Sequence, residues 1–477
     1  MNTSFYSNYK YKWPVFFLLC ILSRLVTSIF YIEDIDSLRF ALSAYHYDVL
    51  SNQPHFPGYP FFCFFFNLFY HLTGSLGFSA SIIGGVAIFI IIFFTLKIYY
   101  LFFNKNSLFL SCLLFFNPFL WIMGNRYMPD LLGLSLLVGG LYFFLLCIKN
   151  KSKKNLILFG LFVGLLSGVR ISYLPFFLSA IYLFFNVKKS IFFIYSSFCF
   201  FLIWFIPWIC ITDLQELINV AINDSQGHFF RWGGTIFSEN STWFVRFNKI
   251  LESLLSDSFG MWWIGRHWLT ALNSLFLFCF ALIAFITSIF NLFHIRKEII
   301  IIFCSFILYF IWVFLFQNIV YKPRHLMPFI PLICVFFTIG FNTIYQKINS
   351  TLIKRFIYIA LIPYCMISFK LTYQHTYESA ISQAAKYISN DQSKKIVIIS
   401  HELMNYYFSK TLDGNFIYLN SSSFHNKLNY YYENNFRIIS TVKLSSKNYN
   451  LVNQSPFFHN PYVNKLWSNL SLYEYKQ

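Results

Sequence analysis

Apolar residues come in long runs along most of this chain, too long for strands and too evenly apolar for surface helices. An apolar run of about eighteen residues or more crosses a bilayer as a helix. Eleven such segments are expected, at roughly 13–32, 77–101, 107–124, 131–148, 155–169, 171–187, 190–211, 269–293, 299–318, 325–345 and 354–371. The fifth and sixth are short and meet at Arg170. Residues 57–73 are apolar too, but Pro57, Gly58, Pro60, His71 and Gly74 interrupt the segment, which reads as juxtamembrane or re-entrant. After residue 371 the pattern changes. Residues 378–390 suit an amphipathic helix, 395–400 a buried strand, 401–410 a second helix and 415–419 a second strand, the alternation of a small α/β domain. The expected fold class is an all-α polytopic membrane bundle of about 11 transmembrane helices, residues 1–371, followed by a small extracytoplasmic α/β domain, residues 372–477.

Composition agrees with this pattern. Of 477 residues, 57% are hydrophobic and 11% charged, where a soluble domain carries about 25% charged residues. An ordinary soluble enzyme is excluded. The first apolar run follows Lys10 and Lys12 as a signal peptide would, but no small-residue cleavage site comes after it, so it reads as a retained helix. The formal charge of +18 does not mark a nucleic-acid binder, because it is scattered between apolar runs and not gathered on one domain. With the N-terminus cytoplasmic, the inner connections hold fifteen basic residues and one acid, Glu298, and Lys149, Lys151, Lys153 and Lys154 are the densest cluster. The outer connections hold nine basic residues and eleven acids. Such an asymmetry fixes orientation. The outer face then carries loops 33–56 and 212–268, the turns near 125–130, Arg170 and 319–324, and the C-terminal domain. No endoplasmic-reticulum retention signal is seen, which favours a bacterial inner membrane. The ten cysteines lack metal or disulfide spacing, and most, such as Cys20, Cys63, Cys147 and Cys304, lie in apolar runs as small buried hydrophobes.

The chemistry-bearing residues fall on that outer face. Glu33, Asp34 and Asp36 follow the first span directly. Carboxylates at a membrane boundary are costly to desolvate and mark function by default. Asp34 and Asp36 are two apart, so in an extended stretch they point the same way, as a general base or as ligands for a divalent cation. The plain structural alternative is a polar cap that ends one helix and starts the next at Ser37. His55 lies in a Pro-rich turn that regular helix cannot accommodate. Arg126 and Asp130 bracket a second turn, and Arg170 interrupts about thirty apolar residues. Guanidinium suits phosphate through its rigid fork of donors, while an ion pair of Arg170 with Asp130 is the structural alternative. His228 and Arg231 sit among the aromatic residues of loop 212–268, whose tryptophans read mainly as interface anchors. Lys322 and Arg324 precede the tenth span. No phosphate loop or nucleotide-binding fingerprint is present.

Five segments occur in one order: Glu33-Asp34-Ile35-Asp36, His55 to Pro60, Arg126 to Asp130, a glycine-punctuated stretch from Gly160 to Arg170, and Pro323 to Pro328. Together they resemble the GT-C-type membrane glycosyltransferases, the superfamily of the protein O-mannosyltransferases and the aminoarabinose transferases that modify lipid A. The resemblance implies transfer of a sugar from a polyprenyl-phosphate carrier to a glycan, lipid or protein acceptor on the outer face. It implies that Asp36 or Asp34 is the general base, and Arg170 and Arg324 the hold on the donor phosphate. It implies an inverting transfer that is either metal-independent or assisted by a divalent cation, which Asp34 and Asp36 would hold. A transporter or flippase for a lipid-linked saccharide would line a path across the whole bilayer with charge, and here the charges collect on one side, with Arg24 the main exception. A non-catalytic membrane assembly protein would make the outer-face acids dispensable.

Overall fold

A computed structural model describes residues 12–232, 234–238, 242–289, 296–390, 395–424, 430–431, 433–444 and 450–476. Lys10, Gly233 and the end of the eighth expected span, 290–293, lie outside them. The chain divides into two compact units. A helical unit comprises Met1–Ser28 and Leu42–Tyr373, and a C-terminal unit comprises Ile29–Ala41 and Gln374–Gln477.

The helices are α1 Lys12–Leu25, α2 Ile35–Tyr45, α3 Pro60–Thr73, α4 Leu76–Phe103, α5 Leu108–Phe115, α6 Pro118–Met123, α7 Asp130–Asn150, α8 Lys153–Ser167 and α9 Ile181–Asn186. There follow α10 Ile191–Ile211, α11 Leu214–Gln226, α12 Trp243–Leu251, α13 Leu269–Ile289, α14 Lys297–Phe316, α15 Ile330–Lys347, α16 Thr351–Phe356 and α17 Leu361–His375. Among the described residues, seven helical stretches are long and apolar enough to cross a membrane. The remaining expected spans are helical but shorter or broken. The first stops at Leu25, not at residue 32, because the Thr27 and Ser28 hydroxyls donate to the carbonyls of Ser23 and Leu25 at 3.0 and 2.9 Å and compete with the helix ladder. Arg24 therefore sits in the last turn of α1 and not midway through a span, where the helix dipole favours a cation. Its guanidinium lies 4.1 Å from the Trp121 ring centroid and donates to the Phe115 carbonyl. The third expected span is divided at Asn117-Pro118. The Asn117 side chain accepts from Leu120 N–H, and Pro118 stands at the first helical position, which starts α6 afresh. Residues Ile171–Ala180, with Pro175 inside, form a 3₁₀ stretch that leads into α9.

The long outer connection 212–268 is largely helical, and the connection 33–56 carries one helix, Ile35–Tyr45. Asp213 and Thr242 cap α11 and α12 by accepting backbone N–H groups two or three residues on. Those caps convert short amphipathic stretches into helices. The sheet-free bundle is held by close backbone approaches. A Cβ at Gly160 or Gly164 on α8, or at Gly168 just past its end, would lie under 3 Å from Ser196, Phe200 or Trp204 of α10. Small residues at every fourth position are how apolar helices pack when burial alone gives no driving force. The Trp204 indole N–H and the Ser196 hydroxyl donate to α8 carbonyls at 2.9 and 2.7 Å, which fixes that contact.

In the C-terminal unit, α18 Ala380–Ser389 and α19 Glu402–Thr411 accompany five strands: β1 Ile396–Ser400, β2 Phe416–Asn420, β3 Arg437–Ser440, β4 Asn450–Phe458 and β5 Asn469–Lys476. Their order is β2-β1-β3-β5-β4. Strand β1 runs parallel to β2 and β3, and β5 runs antiparallel to β3 and β4. All five β1 residues are buried, as a central parallel strand requires. Val397, Ile399, Leu419, Phe424, Ile438 and Tyr475 form the core.

Candidate active site

Each unit carries a charged cluster among its described residues. In the helical unit the cluster is built at helix ends. Asp130 opens α7, where the helix N-terminus favours a carboxylate. The preceding turn is clamped: Asn125 donates to Thr27 Oγ1 at 2.8 Å and accepts from Ser81. Arg170 stands between α8 and the 3₁₀ stretch, and its Nη2 lies 3.0 Å from Asp130 Oδ1. Arg324 Nε approaches the same oxygen at 3.6 Å. One carboxylate thus meets two buried guanidiniums. Gly133, one turn into α7, makes room for this: a Cβ there would lie 2.8 Å from Arg170 Cβ.

Tyrosines and histidines extend the cluster. Arg170 Nη1 donates to Tyr59 Oη at 3.2 Å, and His55 Nε2 is 3.2 Å from the same oxygen. Tyr59 has φ 46° after Gly58 at φ 74°, and a Cβ on Gly58 would collide with Tyr47 and Trp208. The glycine-tyrosine pair in the Pro-rich turn is what brings His55 and Tyr59 to Arg170. Tyr173 donates to the Arg324 carbonyl and Tyr309 to the His325 carbonyl, at 3.3 and 2.8 Å. Arg170, Arg324, Lys322 and His228 all act electrostatically on His325. Burial, then the charges of Lys322 and Arg170, hold the His228 pKa below its ordinary value, and the ring bonds to the Phe316 carbonyl at 3.0 Å. Among the described residues, Arg170 Nε and His325 Nδ1 are buried without a hydrogen-bond partner.

So the structure gathers His55, Asp130, Arg170, His228, Lys322 and Arg324. Arg126 is buried in the turn before Asp130, its Nη1 3.9 Å from Met123 Sδ. Arg231 is not brought in. It is exposed on the π-turn Gly227–Arg231 and donates to Gln226 at 3.3 Å. Tyr59, Tyr173 and Tyr309 had no sequence signal of their own, apart from the place of Tyr59 in its Pro-Gly-Tyr-Pro turn.

In the C-terminal unit the acids of residues 33–36 are not extended. Asp34 caps α2: its Oδ1 accepts from Ser37 N–H at 2.8 Å and its backbone carbonyl from Leu38 N–H. Asp36 lies in the first turn of α2, 3.9 Å from Arg39. The two carboxylates therefore leave the chain in different directions, since helical residues two apart do not share a face. The second Asp34 oxygen accepts from Asn464 Nδ2 at 3.0 Å. Glu33 meets His375 at 3.4 Å, with both buried. Among the described residues, no group of three or more His, Cys, Asp or Glu side chains has a metal-holding arrangement. Asp34 offers both oxygens to N–H donors, a poor setting for a cation.

A long helical bundle with interrupted helices, charged turns between them and a small C-terminal α/β unit is a fold found in other solved membrane-protein structures. Two crystal structures of ArnT from Cupriavidus metallidurans share it, one bound to undecaprenyl phosphate and one in the apo state. They match with TM-scores of 0.55 and 0.56 at 11% and 10% identity, over 97% of this chain and 98% of theirs. The archaeal oligosaccharyltransferase AglB from Archaeoglobus fulgidus, in complex with an inhibitory peptide and a dolichol-phosphate, matches with a TM-score of 0.50 at 12% identity, over 91% of this chain and 69% of that one. No protein-family model and no curated protein matches the sequence.

Proposed function

We propose that this protein is a membrane glycosyltransferase that takes a sugar from a polyprenyl-phosphate donor and passes it to an acceptor hydroxyl on the extracytoplasmic side. The observation that carries this reading is the convergence of Arg170 and Arg324 on Asp130, with Lys322, His228 and His325 around them. Buried arginines paired with one acid present a positive, preorganised lining for a phosphate. Charge that develops on a leaving phosphate is stabilised best by donors already fixed in place. Structural neighbours that hold undecaprenyl phosphate and dolichol-phosphate support the same ligand class.

In the proposed step the acceptor oxygen bonds to the anomeric carbon as the bond from that carbon to the phosphate oxygen breaks. The bonding pair leaves with the polyprenyl phosphate, whose charge Arg170 and Arg324 hold. The acceptor proton passes to Asp36. Asp36 is preferred to Asp34 because both Asp34 oxygens are engaged by the fold. His55 and Lys322 belong to the donor lining, and the bacterial inner membrane remains the proposed location.

The test is turnover. Purified protein in nanodiscs, given a polyprenyl-phosphate sugar and a mixed acceptor pool, is expected to release polyprenyl phosphate, and Asp36→Asn to stop that release with folding intact. A flippase would leave the donor chemically whole, and that result defeats the proposal.

A further inference from the structure

The C-terminal unit holds the acid segment by a continuous set of directed hydrogen bonds. Ala380 N–H, at the start of α18, donates to His459 Nδ1 at 2.9 Å. That fixes the neutral ring's proton on Nε2, which lies 2.9 Å from the Asn464 carbonyl and donates to it. Asn464 Oδ1 accepts from Leu466 N–H at 3.0 Å. The amide orientation is thereby set by its network, and Nδ2 must point at Asp34, where it donates at 3.0 Å. Asn464 is buried. Two further bonds tie the same segment to the same unit: Tyr407 donates to the Ile32 carbonyl at 2.6 Å and Tyr31 to the His375 carbonyl at 2.8 Å.

We infer that Asn464 is a positioning residue for the reaction proposed above, on which this inference rests: it orients Asp34, and through that cap the first turn of α2 that carries Asp36. The C-terminal unit is then part of the catalytic apparatus through residues distant in sequence from the acids. Asp34 serves as the anchor and takes no proton. A buried amide that fixes a carboxylate in this way tunes geometry as outer partners of a metal or base do, and its loss costs about 10- to 100-fold in rate.

The experiment uses full-length protein in nanodiscs with a polyprenyl-phosphate sugar. Asn464→Ala is expected to lower kcat about 10- to 100-fold while donor KM stays near wild type. Asp34→Asn alone is expected to lose activity to a similar degree. The exchanged pair, Asp34→Asn with Asn464→Asp, keeps an N–H donor and a carboxylate across the same contact and is expected to recover most of the rate. An exchanged pair as inactive as Asp34→Asn alone overturns the inference, because it makes Asp34 itself the base. Wild-type kcat in Asn464→Ala overturns it as well. Absence of turnover in the wild-type protein defeats the functional reading and is seen before any variant is made.

Discussion

The two charged clusters solve the same problem, buried carboxylates, in opposite ways. In the helical unit Asp130 is neutralised by charge: two guanidiniums reach one of its oxygens, and a helix N-terminus stands behind it. In the C-terminal unit Asp34 is held by neutral donors, a backbone N–H and an amide, while Glu33 meets a histidine. Charge pairing leaves a positive surface that binds anions. Neutral hydrogen bonding adds no charge and fixes the carboxylate rigidly. The first arrangement suits a leaving phosphate, and the second suits the orientation of a base.

Substitutions break this contrast in different ways. The largest effect is expected from Asp130→Ala, which strands two buried guanidiniums. Removing one partner of a buried pair costs about 3–5 kcal/mol, so the variant should melt far below wild type in detergent and elute as aggregate. Asp36→Asn should act oppositely. Loss of a general base lowers kcat by about 10²–10⁴ with the melting temperature unchanged, and melting curves beside turnover assays separate the two outcomes. Gly133→Ala places a methyl group against Arg170 Cβ. Overpacking of this kind costs about 1–3 kcal/mol, and donor binding should weaken as Arg170 shifts away from Asp130. Direct titration of donor binding in nanodiscs checks that shift.

The smallest effect concerns His228. Its pKa lies below the ordinary 6.5, chiefly through burial. The folded protein therefore binds this proton less readily than the unfolded chain does. The stabilising contribution is present above about pH 6.5 and is lost as pH falls toward the depressed value. A His228→Phe variant should show a shallower loss of stability between neutral and mildly acidic pH, measured as melting temperature across that range.

Residue types far out of place were legible in the sequence. Arg170 between two apolar runs, Asp130 after a proline and His55 among prolines each needed a reason to sit where they do. The bundle was legible too, because bilayer-length apolar runs have few other solutions. Helix breaks were not, since Asn117-Pro118 and Thr27-Ser28 act through side-chain bonds that compete with the ladder only in context. Strands β3, β4 and β5 escaped notice for a related reason. Residues 450–458 include Asn450, Asn453, Gln454 and Ser455, and 451–458 are largely exposed, so no alternation of apolar and polar positions marks them. Asn464, Tyr407 and His375 are ordinary residues in a polar region. Their roles depend on contacts spanning 430, 375 and about 340 positions of sequence, respectively, and no local pattern encodes such pairings. The cap on Asp34 could be read locally, but the spacing of Asp34 and Asp36 suggested an extended stretch where the chain forms a helix.

The most direct test of the account is release of polyprenyl phosphate by the wild-type protein compared with Asp36→Asn and Arg324→Met. The expected result is turnover in the wild type, donor binding without turnover in Asp36→Asn, and weakened donor binding in Arg324→Met. Equal turnover in all three proteins would contradict it.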